Sequence, residues 1–324
     1  MAEIRKIACI GSGLVGHSWA TLFALKGYPV VLQDENKSVL RNALDNVKSN
    51  LAFLVQKEVV SKKLAGAALE RIQETRSISQ AVADVQYVQE SVFETYEIKK
   101  KVFKEMDRAS SSEAILASSS SGLMMTKIQE VARRPQRCIV AHPFNPPHLI
   151  PLVELVPGKK TAQKTVSITY DFMRRIGKVP VVVKKEVPGY LANRLTSALW
   201  REAIDLVYTG VASVEDVDKA LTAGPGIRWA IMGPHLTYHL GGGKGGIQYF
   251  FDHIGKTKSE LWKTMADWTS IPPLARKKVV LGLMRTEILK KKTMEELIKW
   301  RDDRLIELIK VLWQERLKPT QVES

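Results

Sequence analysis

The stretch that most limits the fold is residues 4–34, IRKIACIGSGLVGHSWATLFALKGYPVVLQD. An apolar run, Ile4 to Ile10, leads into Gly11, Ser12, Gly13, Leu14, Val15 and Gly16. A helical pattern with Trp19, Leu22, Phe23 and Leu25 near one face then runs to Gly27, and a second apolar strand, Val30 to Leu32, stops at Asp34. Strand, glycine turn, helix, strand and acid, in that order, form the frame of a dinucleotide-binding βαβ unit. Gly11 permits the tight turn, Gly13 lets a pyrophosphate approach the backbone, and Gly16 lets the helix pack closely on the sheet. The free N–H groups of the helix start, around Leu14 and Val15, and the positive dipole end face the phosphates. Asp34 accepts from ribose hydroxyls and repels a 2′-phosphate, which favours NAD over NADP, although Lys37 is near enough to attract such a phosphate.

The rest of the first half continues this frame. Residues 36–72 read as two helices with a short break. Val85 to Ser91 reads as a core strand, residues 94–108 as a basic amphipathic helix, and Ala114 to Ala117 as the next strand. Glu94 and the run Ser118-Ser119-Ser120-Ser121 then fall beyond strand ends, where open α/β sheets bind ligands. Arg137 to Ala141 predicts a strand ending at His142, residues 143–151 a proline-stiffened loop, and Leu152 to Val156 a returning strand that carries Glu154. From Val187-Pro188-Gly189 onward the pattern is helical, and Thr293 with Glu296 predicts a capping box before the last long helix. The expected fold class is α/β: a Rossmann-like doubly wound sheet over residues 1–187, followed by an all-helical C-terminal domain over residues 188–324.

Composition narrows the function classes. Of 324 residues 45% are hydrophobic, enough for two cores. No apolar run reaches the roughly 18–20 residues of a membrane span. Strand-like sequence begins within the first residues, so we expect no signal or transit peptide and a cytoplasmic protein. Cys9 and Cys138 sit in apolar strand-like runs and read as reduced, buried thiols. The formal charge of +15 is spread along the chain without a nucleic-acid-binding signature, so it reads as a lysine-rich solvated surface, one that would also draw small anions. His235 and His239 have i, i+4 spacing but no third ligand, so no metal site is expected.

The residues gathered so far match a known pattern. The glycine turn, VQESVFETYEIKKKVF, the serine run, CIVAHPFNPPHLIPLVELVPG, EVPGYLANRL and GPGIRWAIMGP run nearly end to end. In these the chain resembles the 3-hydroxyacyl-CoA dehydrogenase superfamily, and most closely its short-substrate lambda-crystallin, or L-gulonate 3-dehydrogenase, branch. The resemblance implies an acid–base pair at His142 and Glu154, with Ser121 and Asn193 in the catalytic set. It implies Asn145 at the substrate, Glu94 and Lys99 on the nicotinamide side of the cofactor, and a homodimer formed through the helical C-terminal domain. The serine turn is SSSSGL here, where the acyl-CoA enzymes resemble SNTSSL.

The residue types suit that chemistry. Oxidising a secondary alcohol requires a hydride acceptor and a base. Histidine titrates near neutrality, and a carboxylate on its far ring nitrogen fixes the tautomer and stabilises the imidazolium. The spacing lets His142 and Glu154 meet across neighbouring strands. By itself it equally allows a loop histidine and a solvent-facing strand glutamate. His148 has no matching role and reads as a loop or pocket-rim residue. Arg228, in a glycine-dense loop, either binds a substrate carboxylate or ties that loop down.

The expected function is NAD-dependent oxidation of a small anionic 3-hydroxy acid, L-gulonate first. L-Carnitine is the near rival, for whose trimethylammonium group Trp229, Tyr238 and Tyr249 offer aromatic faces. A 3-hydroxyacyl-CoA ester is the third candidate. A crystallin-like structural protein that retains NAD is the reading from another class. Neither nucleic acid nor membrane is an expected partner.

Overall fold

In the computed structural model the described residues are 3–317, with side chains described to residue 312. The chain divides into two compact units, one up to Arg194 together with the chain from Arg304, the other Leu195–Asp303.

The first unit holds an eight-stranded sheet. Its strands are β1 (Ile7–Ile10), β2 (Val30–Gln33), β3 (Ile72–Thr75), β4 (Tyr87–Glu90), β5 (Ile115–Ser118), β6 (Cys138–Pro143), β7 (Leu152–Pro157) and β8 (Val179–Val182), in the order β3-β2-β1-β4-β5-β6-β7-β8. Every neighbouring pair is parallel except β6 and β7. The order reverses between β1 and β4, so the glycine turn after β1 and Ser91 after β4 lie side by side, and the Ser91 amide donates to the Ile10 carbonyl at 2.7 Å. Such a switch point opens a crevice at the carboxyl edge of the sheet.

Alternation along the strands feeds two cores. Ile7, Cys9, Val30, Leu32, Ile139 and Val153 pack against helices Leu14–Leu25, Lys37–Gln56 and Gln163–Arg175, with Ile306 and Ile309 of the last helix. The aromatic floor of this face includes Trp19 stacked on Phe23 at 5.0 Å and Tyr87 against Phe172 at 4.8 Å. Ala8, Ile10, Val88, Leu116 and Val140 face the other way, against Val102, Phe103 and Met106 of helix Tyr96–Ala109. Beneath that helix Arg137 and Asp107, both buried, pair at 2.8 Å. Cys9 and Cys138 are buried free thiols, and burial pushes both pKa values up, that of Cys138 to about 12.

The helix pair expected over 36–72 is Lys37–Gln56 and Lys62–Glu70. Two strands escaped the sequence reading, β3 (IQET) and β8 (VPVV). Both are edge strands with half-exposed residues: IQET has a single apolar residue, while VPVV is apolar but short and holds Pro180, which cannot donate to a ladder. The second unit is helical, with no strand among its described residues. The capping box ahead of helix Met294–Leu317 forms: the Glu296 amide donates to Thr293 Oγ1 at 3.2 Å and the Thr293 amide to Glu296 Oε2 at 2.8 Å.

The glycine turn is tightly built. Gly11 has φ +85°, and a Cβ there would lie 2.9 Å from the Ser91 carbonyl. A Cβ on Gly16 would lie 1.8 Å from the Gly11 oxygen. Gly16→Ala therefore separates helix Leu14–Leu25 from β1 and destabilises the first unit by about 1–3 kcal/mol. Urea unfolding measures the loss, and a midpoint equal to wild type contradicts it.

Candidate active site

Five strand ends, those of β1, β2, β4, β5 and β6, meet at the carboxyl edge of the sheet. After β1, helix Leu14–Leu25 starts at Gly13 with no side chain accepting from its first-turn amides, and a Cβ on Gly13 would meet nothing within 4 Å. The amides around Leu14 and Val15 are thus left for an anion beside a glycine that offers close approach, which fits a dinucleotide pyrophosphate. At the end of β2, Asp34 Oδ2 accepts from the Ser12 amide at 3.0 Å and the Ser12 hydroxyl at 3.2 Å, while Oδ1 accepts from the Asn36 amide at 3.0 Å. The carboxylate braces the turn and keeps lone-pair capacity for ribose hydroxyls.

After β4 and β5 the serine run is consumed by a carboxylate network. Glu90, fully buried at the last position of β4, accepts from Lys99 Nζ at 2.7 Å, the Val92 amide at 2.7 Å and Ser118 Oγ at 2.6 Å. Lys99, 1% exposed, also donates to the Val92 carbonyl at 3.2 Å and pairs with Glu94 Oε2 at 3.4 Å. Its three protons are committed within the protein, so it acts on the site through Glu94. Glu94 Oε1 accepts from Ser120 Oγ at 2.7 Å, the Ser121 amide at 2.7 Å and the Gly122 amide at 3.1 Å. Burial alone would raise its pKa, but the Ser120 hydroxyl, the Lys99 ammonium and the turn amides hold it below the ordinary carboxylate value. Ser121 is exposed, and its carbonyl accepts from Asn193 Nδ2 at 3.0 Å, which brings these two expected site residues together.

The antiparallel pair β6 and β7 carries the expected acid–base pair. Their register sets His142 opposite Glu154. His142 Nδ1 lies 2.9 Å from Glu154 Oε2, with both side chains buried. Glu154 Oε1 accepts from the amides of Leu191 and Ala192, at 2.8 and 2.9 Å. Burial opposes the Glu154 charge, but His142 and these two amides outweigh it, so the pKa is lowered and the carboxylate is ionised at neutral pH. An ionised partner requires Nδ1 to be the donor, which leaves the lone pair on Nε2. Phe144 and Tyr190 flank the imidazole edge-on, at 5.4 and 5.6 Å between ring centres. Tyr190 is fully buried at φ +51°, a costly conformation for a bulky side chain, and is fixed there by its hydroxyl on the Leu123 carbonyl at 2.6 Å.

Other expected residues fall differently. Asn145 is exposed just beyond His142, and its side-chain amide has no hydrogen bond among the described residues. His148 is tied to Ser18 Oγ by Nδ1 at 2.5 Å, so it links the loop to the dinucleotide helix. Arg228 belongs to the second unit, exposed on the short helix Pro225–Trp229. In that unit Tyr238 already bears Lys258 over its ring at 5.5 Å, and Tyr249 stacks on His253 at 3.8 Å, which leaves less of either face for a cationic ligand. His239 Nδ1 accepts from the Ile247 amide at 3.1 Å. Among the described residues no group of three histidine, cysteine or acidic side chains could hold a metal ion, and no helix is long and apolar enough to cross a membrane. Sequence reasoning missed Glu90 and Tyr190. A glutamate closing an otherwise apolar strand is the signal that could have found the first, and the tyrosine after Pro188-Gly189 in a helix-entry turn the second.

Comparison with known proteins agrees with the fold and with NAD as the cofactor. The family model for the 3-hydroxyacyl-CoA dehydrogenase NAD binding domain matches residues 6–187, and that for the 3-hydroxyacyl-CoA dehydrogenase C-terminal domain matches residues 189–280. An L-carnitine dehydrogenase of Bacillus cereus is 39% identical over 313 residues, covering 96% of this chain and 93% of its own. An L-carnitine dehydrogenase of a Pseudomonas species is 34% identical, covering 98% and 97%. The solved structure of 5-formyl-3-hydroxy-2-methylpyridine 4-carboxylic acid 5-dehydrogenase, an NAD+ dependent dismutase, superposes with a TM-score of 0.81 at 31% identity, over 95% of this chain and 97% of that one.

Replacing His142 by Gln removes the lone pair at Nε2 and lowers kcat by about 10²–10⁴-fold while NAD affinity is kept. Steady-state kinetics with a cofactor titration reads both, and equal turnover by mutant and wild type contradicts the role. Glu154→Gln tests the carboxylate through pH. A lowered folded pKa means that the Glu154 charge stabilises the fold above the ordinary carboxylate value of 4.5 and that this contribution is lost as pH falls through the folded pKa. Melting temperatures of wild type and Glu154→Gln should differ at neutral pH and converge in acid.

Proposed function

We propose a reaction and a substrate for this chain, which belongs to the 3-hydroxyacyl-CoA dehydrogenase family and is therefore an NAD-dependent oxidoreductase acting on a CH–OH group. The reaction is oxidation of the 3-hydroxyl of a small hydroxy acid. The observation that carries it is the buried His142–Glu154 pair at 2.9 Å, with the second Glu154 oxygen held by two backbone amides.

Each residue has one task in this reading. His142 Nε2 takes the hydroxyl proton, and Glu154 holds the ring in the required tautomer and balances the imidazolium as it forms. Asn193 and Asn145 orient the substrate oxygen as neutral donors, and Ser121 shapes the same wall. The amides around Gly13, Leu14 and Val15 hold the pyrophosphate, Asp34 the ribose, and Glu94, braced by Lys99, the nicotinamide end. When bound, NAD supplies the hydride-accepting ring, and the protein supplies position and the base.

L-Carnitine is the substrate the relatives favour. L-gulonate, expected first from the sequence, has no support among them, since those compared are L-carnitine dehydrogenases. Phe144 beside His142 offers an aromatic face of the kind that attracts a quaternary ammonium group. A 3-hydroxyacyl-CoA ester remains the alternative that the family name itself suggests. We place cofactor binding in residues 1–187 and assign to residues 188–324 the substrate carboxylate contact, through Arg228, and a homodimer interface. The exposed Trp200, Phe251 and Trp262 of that part would suit such an interface. A cytoplasmic location completes the reading.

An NADH absorbance screen over L-carnitine, L-gulonate, 3-hydroxybutyrate and its CoA ester tests it. Highest kcat/KM is expected with L-carnitine, and turnover of none of the four rejects the function in favour of a structural NAD-binding role. Arg228→Ala is expected to raise KM by about 10–100-fold with little change in kcat, the cost of a lost charge-assisted contact. An unchanged KM removes Arg228 from the substrate site.

A further inference from the structure

The loop that follows His142 is poor in hydrogen-bond donors. Pro143, Pro146, Pro147 and Pro151 have no N–H. The amides of Leu149 and Ile150 both turn back to the Pro146 carbonyl, at 3.0 and 2.9 Å. Among the described residues no backbone N–H reaches the carbonyls of Pro147 or Ile150. A buried carbonyl without a donor is costly, so a side chain must serve both.

Lys178 serves them. It stands between helix Gln163–Arg175 and β8, and its Nζ donates to the Ile150 carbonyl at 2.7 Å and to the Pro147 carbonyl. The same ammonium lies 5.0 Å above the ring of Trp19, whose Nε1 donates to Ser119 Oγ in the serine run. Lys178 is 5% exposed. The cavity of about 60 Å³ beside it is lined by Leu22, Leu25, Ile176 and other apolar residues, with Lys26 and His148 its only other ionisable neighbours and no carboxylate. Burial without a counter-ion pulls the Lys178 pKa down to about 7. An apolar side chain here would relieve the buried charge but leave both carbonyls without a donor.

We infer that Lys178 is a positioning residue of the proton-transfer site, holding the loop that carries Asn145 in register with His142 through the Pro147 and Ile150 carbonyls. It touches neither of the paired residues His142 and Glu154. It also ties that loop, by way of Trp19 and Ser119, to the wall built by Glu94 and the serine run. The inference rests on the proposed role of His142 as the base.

Lys178→Met tests it, because methionine matches the volume and removes the donors. Hydrogen exchange is expected to accelerate at the Leu149 and Ile150 amides and to stay unchanged in β6 and β7. With L-carnitine and NAD, kcat should fall about 10- to 100-fold. NAD affinity should be unchanged and the melting temperature close to that of wild type, because relief of the buried charge offsets the two carbonyls left without a donor. Unchanged exchange at Leu149 and Ile150 overturns the inference. So does a kcat within about twofold of wild type, or a loss of kcat accompanied by weakened NAD binding and a lowered melting temperature, which mark general damage. Lys178→Gln, a neutral donor, carries the same readouts with a smaller expected loss and serves if the Met variant does not fold. The exchange measurement needs no substrate. If wild type turns over none of the four candidates, the proposed function fails while the role of Lys178 in the loop is still decided.

Discussion

The pairing of β6 with β7 is the constraint on which the rest of the site depends. It is the one antiparallel pair of the sheet among the described residues. A parallel return would need a crossover of about a dozen residues or more. The direct return through residues 143–151 instead starts β7 at the edge where β6 ends, beside the crevice between β1 and β4. Opposite residues in such a pair stand about 4.5–5.5 Å apart at Cβ, the right separation for a direct imidazole–carboxylate contact. The register is fixed by burial on both faces. Ile139, Ala141, Val153 and Leu155 pack into one core, while Cys138, Val140 and Val156 pack into the other. A slip by one residue would drive Glu154 into the first of these and break the pair.

A second layer of order is electrostatic. The three carboxylates at the crevice are each held ready by a different device. Glu154 is balanced by His142 and by two amides at a helix start, Glu94 by the serine turn with Lys99 behind it, and Asp34 by the turn and its own strand end. Glu90 lies beneath all of the serine wall. By binding Lys99 and Ser118 together it links β4, β5 and helix Tyr96–Ala109 at the point where their ends must agree. The path Glu90, Lys99, Glu94, Ser121, Asn193 is continuous, so the Asn193 amide, proposed above to orient substrate, is tied to the floor of the sheet.

How much of this the sequence disclosed follows from how local each signal is. The glycine turn and Asp34 are consecutive in the chain, and their chemistry is set by backbone geometry, so they were readable by spacing. The His142–Glu154 pair was readable only as far as two strands and a loop could be counted. The choice between a dyad and two unrelated residues needed either the resemblance or the register. Glu90 was hidden because its partners, Lys99 and Ser118, are nine and twenty-eight positions away and meet it only through the packing of β4 on β5. The edge strands β3 and β8 were hidden for another reason. β3, with one flank open to solvent, carries neither an apolar run nor a clean alternation, and β8 is a short apolar run broken by Pro180, a residue that argues against a strand. Tyr238 and Tyr249 show what residue type leaves open. Residue type offers them as aromatic faces for a cation, and the fold adds what type does not show: Lys258 lies over one ring and His253 stacks on the other, while both side chains stay exposed.

The buried charges divide into two kinds with one consequence for pH. Lys99 is compensated by Glu90, but Lys178 has only carbonyl oxygens and an indole face. A lysine whose folded pKa is lowered from 10.5 to about 7 favours the neutral amine in the fold, so stability is eroded as pH falls through that interval. The lowered carboxylates Glu94 and Glu154 act in the same sense at more acid pH, losing their contribution as they protonate. The proposed reaction leans the same way. Hydride removal from an alcohol releases a proton, and the base must be neutral to take it. Fold and chemistry therefore favour the alkaline side together, and the residue that links them is Lys178, which fixes the loop beside His142 and whose burial without a counter-ion is eased as the solution becomes more basic.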